Sequence, residues 1–126
     1  MRRLLFLFLL TTSVSALADW TAVTKDPKGA TYYLDLTTIR KKGSTVKVWG
    51  LSDFPAPQKF RTYTYSSAKD QYEYDCDEEI ARLLYLSLHS GQMGQDEALY
   101  RDVEAENWHP VPPDSIHAFL MHLVCK

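Results

Sequence analysis

The sequence predicts an α+β domain, a β-rich body closed by one C-terminal helix, and three observations carry that prediction. Between Trp20 and Ala105, short runs of β-branched and aromatic residues alternate with polar ones, and Pro, Gly and Asp fall at turn positions between them. Behind Ser115, a good N-cap, Ile116, Phe119, Leu120, Leu123 and Val124 recur at helical spacing and predict one apolar face. The chain holds only two cysteines, Cys76 and Cys125, downstream of an N-terminus with the make-up of an export leader.

In that leader, Arg2 and Arg3 precede the apolar run Leu4 to Leu10, and Ala16-Leu17-Ala18 sets small residues at both recognition positions before a cut. Cleavage after Ala18 divides the chain into a signal peptide, residues 1–18, and one domain, residues 19–126. Thr11, Thr12, Ser13 and Ser15 interrupt the apolar run, short of the roughly 20 residues that a membrane anchor needs. No cysteine follows the run to accept a lipid. The expected product is exported and soluble, periplasmic or extracellular, with no membrane span after cleavage. In an oxidising compartment the two thiols are expected to join, pinning the helix where Cys76 lies so that it covers one face of a sheet. A redox role would want a C-x-x-C spacing, which is absent. Removal of Arg2 and Arg3 leaves 12 basic against 16 acidic side chains, a net charge of −4 that argues against nucleic acid as a partner.

The elements follow in order. Trp20 to Thr24 reads as a short strand, and Asp26-Pro27-Lys28-Gly29 as a type I turn. Ala30 to Leu34 returns as a second strand, after which Asp35 is placed to cap a single helical turn through Thr37, Thr38 and Ile39. Lys41-Lys42-Gly43-Ser44 is a polar turn, and Thr45 to Phe54 is the clearest strand, expected to end at Pro55 and Pro57. Arg61 to Ser66 and Gln71 to Cys76 carry alternating stripes, Tyr63 with Tyr65 and Tyr72 with Tyr74. Residues 77–90 fit two patterns: Ile80, Leu83, Leu84, Ser87 and Leu88 suit a helix, which the pattern slightly favours, while Ile80, Arg82, Leu84, Leu86 and Leu88 alternate as in a strand. Gly91 to Gly94 is a turn, Ala98 to Ala105 a return strand, and Trp108 with Pro110 to Pro113 an extended connection.

Little in the chain announces chemistry. Asp70, Glu73, Asp75, Asp77, Glu78 and Glu79 form an acidic cluster without the glycine and regular ligand spacing of a calcium loop, and a solvated face explains it as well. His117 and His122 are five residues apart on the predicted helix, and His89 and His109 stand alone, so no zinc set is visible. Neither a G-x-S-x-G elbow nor a phosphate loop or dinucleotide fingerprint occurs. No cofactor, metal or catalytic residue is therefore expected, and a small hydrolase built from a His and a Glu is a minor alternative. The tyrosine stripes read first as core packing and second as a partner-binding face of Tyr63, Tyr65, Tyr72 and Tyr74, because tyrosine combines large contact area with a polar tip.

Trp20, Tyr32-Tyr33-Leu34-Asp35, Val48-Trp49, Tyr74-Asp75-Cys76, Met93-Gly94, Trp108, Pro113-Asp114-Ser115 and Cys125 occur in an order that resembles the surface-adhesin protein E family of bacterial exported proteins. Tyr74-Asp75-Cys76 and the final cysteine are the most specific of these; Asp114 stands where that family usually has glycine. The resemblance implies a mostly antiparallel sheet with a C-terminal helix tied across its concave face by the disulfide, and makes residues 80–90 a strand. It implies a protein partner, vitronectin or laminin for adhesins of the family, and a homodimer in some members. The expected function is that of an exported, non-enzymatic binding protein, with a periplasmic envelope interaction module lacking a host ligand as the alternative.

Overall fold

The computed structural model describes residues 18–126, and the expected signal peptide, except for Ala18, lies outside them. Among the described residues the strands are β1 (Trp20–Lys25), β2 (Thr31–Lys42), β3 (Thr45–Phe60), β4 (Tyr63–Asp75), β5 (Ile80–His89), β6 (Ala98–Asp102) and β7 (His109–Pro110), followed by α1 (Ile116–Val124). Strands β1 to β6 lie side by side in sequence order, every pairing antiparallel, and β7 joins the free end of β5 at Ile80 and Ala81.

Turn chemistry sets the first hairpin. The Asp26 carboxylate accepts from the Lys28 and Ala30 amides at 2.9 and 3.0 Å, and Gly29, at φ +91°, donates to the Asp26 carbonyl. An L side chain would strain that last position. Asp35 does not start a helical turn. Its carboxylate accepts from the amide and hydroxyl of Thr37, and the hydroxyl of Thr38 bonds back to the Asp35 carbonyl at 2.6 Å. The same local bonding that caps helices here shapes a bulge inside β2, between the Asp35↔Trp49 and Arg40↔Lys47 pairs. Burial alone would raise the Asp35 pKa, but three donors outweigh it and hold the carboxyl below its ordinary value.

The long hairpin of β3 and β4 departs furthest from expectation. Pro55 and Pro57 do not end β3; they fall in an irregular stretch between the Asp53↔Ser67 and Gln58↔Tyr65 pairs, where missing amide donors cost no ladder bonds. The strand continues to Phe60, and the two tyrosine segments are one strand, β4.

Residues 80–89 are a strand, as the family resemblance implies. A bulge explains the helical alternative: Leu83 pairs with Tyr72 but Tyr85 with Gln71, leaving Leu84 extra. Ala81, Leu83, Leu86 and Leu88 thus pair with Tyr74, Tyr72, Asp70 and Ala68, and the step of three in the middle imitates helical spacing. Strand β6 stops at Asp102, three residues before the expected end.

Helix α1 begins where expected. Ser115 accepts from the Ala118 amide at 3.1 Å, and Asp114 takes the left-handed conformation, φ 61°, at the position where the family has glycine. Its buried residues are Ala118, Leu120, Met121 and Val124, whereas Phe119, counted on the apolar face from spacing, is exposed. Leu120, Met121 and Val124 share one core with Leu34, Val46, Val48, Tyr74 and Ala81. Each fully buried aliphatic side chain there contributes about 1.5–3 kcal/mol. The Cys76–Cys125 disulfide closes the end of this core, with Cα atoms 5.7 Å apart.

A polar knot holds the connection from β5 to β6. The hydroxyl of Ser67, fully buried, donates to the Gly91 carbonyl at 2.6 Å and accepts from the Gly94 amide at 2.8 Å, while Asp53 accepts from the Met93 amide. Gly94, at φ +67°, sits in the left-handed region that favours glycine, and a Cβ there would also displace Lys69 Cε, 2.3 Å away.

Candidate functional site

The four tyrosines singled out in β4 are divided by the structure. Tyr72 follows Tyr65 by seven positions, an odd step that changes face on an alternating strand. Tyr72 and Tyr74 meet His117 of α1: the Tyr72 ring lies 4.3 Å from that of His117, and the Tyr74 hydroxyl meets His117 Nδ1 at 2.9 Å. Tyr63 packs on Tyr100 of β6 at 5.7 Å, and Tyr65 on Phe54 at 5.7 Å.

Beside the Tyr72–Tyr74–His117 group opens a pocket of about 150 Å³, reached by Tyr32 and Leu34 of β2, Gly50 of β3, Asp70 of β4, Leu86 of β5 and Leu120 of α1. Register brings Gly50 opposite Asp70, and the Asp70 carboxylate lies over the glycine: a Cβ at position 50 would come 2.7 Å from Oδ1. Burial pushes the Asp70 carboxyl up to about 7. Burial, and after it the Asp70 charge, raises both Tyr72 and Tyr74. Tyr32 is raised mainly by burial, and its hydroxyl donates to Asp26 at 3.2 Å. Burial, aided by His109, lowers His117, so its imidazole is neutral near neutral pH. Asp70 makes no hydrogen bond or ion pair among the described residues, in contrast to Glu73, which holds Arg82 at 2.7 Å.

Sequence reasoning passed over this site because Asp70 read as one member of an acidic cluster. The structure disperses that cluster. Asp75 accepts from the Asp77 and Glu78 amides in the β4–β5 turn, Glu73 is ion-paired, and Asp70 alone enters the pocket. Gly50, a buried glycine in the middle of the most strand-like segment, was the available signal, since such a glycine marks close approach of another group.

The tip of the β3–β4 hairpin carries a second grouping. Arg61, in the left-handed region at φ 54°, places its guanidinium 5.1 Å from the Phe60 ring and 5.6 Å from the Tyr100 ring, and Phe60 lies 5.3 Å from Tyr100. Phe60 and, on β6, Leu99 are exposed.

The histidines do not assemble a catalytic group. His89 Nε2 accepts from the Ser87 hydroxyl at 2.9 Å, and its other nitrogen donates to the Asp96 carbonyl. Ser87 is 1% exposed and no carboxylate bonds that histidine, so the contact anchors the loop after β5. His109 and His122 are exposed.

Comparison with known proteins agrees with this fold. Structures of Haemophilus influenzae protein E superpose with TM-scores of 0.66 and 0.64 at 11% identity, over 88% of this chain and 90% and 86% of theirs. Protein E from non-typeable Haemophilus influenzae gives 0.55 at 13% identity, over 89% of this chain and 78% of that one. No curated protein matches the sequence. The family model for surface-adhesin protein E matches residues 20–126, essentially the whole described sheet, the terminal helix and both cysteines; the chain belongs to the surface-adhesin protein E family.

Proposed function

We propose that the chain is an exported, non-enzymatic binding protein that engages a protein partner through the tip of the β3–β4 hairpin. The observation that carries this reading is the cluster at the hairpin tip, where exposed Phe60 and Arg61 meet half-buried Tyr63 and Tyr100, with arginine and tyrosine among the residue types that dominate binding energy at protein interfaces. Family membership makes the surface adhesin-like, with host matrix proteins such as vitronectin or laminin as the partners to try first. The finer parts of the reading are cleavage of residues 1–18, leaving residues 19–126 as the working domain, and α1 lying across one face of the sheet. The disulfide supports an oxidising compartment. Homodimers, present in some members of the family, belong to the same reading. Burial of the Ser87–His89 contact supports the absence of hydrolysis.

The test is binding of the purified domain to immobilised vitronectin and laminin, beside Tyr63→Ala/Tyr100→Ala and Tyr63→Ala/Tyr65→Ala variants. Saturable binding that falls at least tenfold in the first variant is expected, in line with interface anchors whose loss costs about 2 kcal/mol or more. No saturable binding to either protein overturns the adhesin reading. Protection from added protease on intact cells favours instead an envelope partner inside the periplasm.

A further inference from the structure

We propose that the pocket at Asp70 binds an organic ammonium group, the head of a lysine side chain or of a free alkylamine, with its charge on the carboxylate and its carbon atoms against the tyrosine rings. A volume of about 150 Å³ suits such a head group. Sites for whole drug-like molecules run to about 300–1,000 Å³.

Four features select a cation. The Asp70 carboxylate has no partner among the described residues, and a half-buried charge without one is costly until a ligand supplies it. Tyr32, Tyr72 and Tyr74 surround it with aromatic walls, which attract ammonium groups through the ring quadrupole. Neither Lys nor Arg lines the pocket: Lys69, the neighbour of Asp70 in β4, is turned to the other side of the strand, against Gly94. The remaining titratable group, His117 on α1, is neutral near neutral pH because burial lowers its pKa. Gly50 completes the arrangement, its missing side chain leaving the space that the carboxylate occupies.

The decisive experiment is an NMR titration of the oxidised domain with n-butylammonium chloride, with an acetylated and amidated Gly-Gly-Lys-Gly-Gly peptide, and with 1-pentanol as the neutral control. Saturable shifts confined to Gly50, Asp70, Tyr72 and His117 are expected from at least one of the cations. The tighter of the two names the source. Asp70→Asn should weaken binding at least tenfold, the scale of a hydrogen bond to a charged group. Because the carboxyl lies at about 7, ammonium binding at pH 7 should release about half a proton, which calorimetry in buffers of different ionisation enthalpy reads on the wild-type protein alone. Affinity should also fall about 50-fold from pH 7 to pH 5 as the ionised fraction of Asp70 shrinks. Equal affinity for 1-pentanol, unchanged binding in Asp70→Asn, no proton release, or no saturable shift with either cation would each overturn the proposal. The matrix-protein assay does not bear on this site, so the two readings fail separately.

Discussion

Replacing Asp70 with Asn should change how the stability of this protein depends on pH, and the structure sets the size of the effect. The carboxyl rises from 3.8 in the open chain to about 7 in the fold because burial disfavours its charge. A shift of that size corresponds to about 4 kcal/mol at most, and the open mouth of the pocket, which admits water, reduces it to about 2 kcal/mol. The folded state binds its proton more tightly than the unfolded one, so stability falls as pH rises from about 4 to 7 and is level above that range. Asn mimics the protonated acid and removes this slope. The two proteins should be equally stable below about pH 4, and the Asn variant about 2 kcal/mol more stable near pH 8. Urea unfolding of the oxidised proteins across that range, followed by circular dichroism, measures the difference, and titrations shared by both proteins cancel in it. A difference between wild type and variant that stays constant with pH would refute the assignment of Asp70 as an unpartnered carboxyl.

Removing the Cys76–Cys125 bond, which closes a 49-residue separation, should cost about 4 kcal/mol in the loop-closure view. Limited proteolysis should then cut first near α1, and sensitivity there that ignores reductant contradicts the expectation. Asp114→Gly should stabilise the domain by about 0.5–1 kcal/mol by relieving the left-handed conformation ahead of Ser115, measured as a raised urea midpoint. His89 is held below its ordinary 6.5 by burial, so the unfolded chain takes up a proton that the fold refuses and stability declines as pH falls below that value. Amide exchange at Met93 and Gly94, corrected for its intrinsic pH dependence, should accelerate there; unchanged corrected rates would show that His89 does not control the loop.

Much of this fold can be read from the chain because strand and turn signals are local. Asp26-Pro27-Lys28-Gly29 turns where its chemistry says, and Ser115 caps α1. What escapes the sequence is long-range. The extra residue at Leu84 looks helical until Leu83 and Tyr85 find successive partners on β4, and the bulge after Asp35 is tied to β3 by the Trp49 amide, which donates to the Thr38 hydroxyl. Helical spacing puts Phe119 on the apolar face of α1; in the fold His117 bonds to Tyr74 and the phenylalanine is exposed. The tyrosines of β4 were visible as residues but not as two separate environments. The Asp70 pocket was the least legible of all, since it exists only where β2 to β5 and α1 converge.

The order of the sheet also bears on how the chain reaches this structure. Because each of β1 to β6 pairs with its immediate neighbour along the chain, the sheet can zip from one tight hairpin to the next, with little loop entropy lost at each step. Docking of α1 is different in kind, since it waits for strands laid down much earlier in the sequence. Oxidative enzymes would then meet two sulfurs already brought together by folding, and would act as a latch on a finished sheet. Refolding under reducing conditions should accordingly recover the β signal before any crosslink forms, and a sheet that appears only after oxidation would reverse that order.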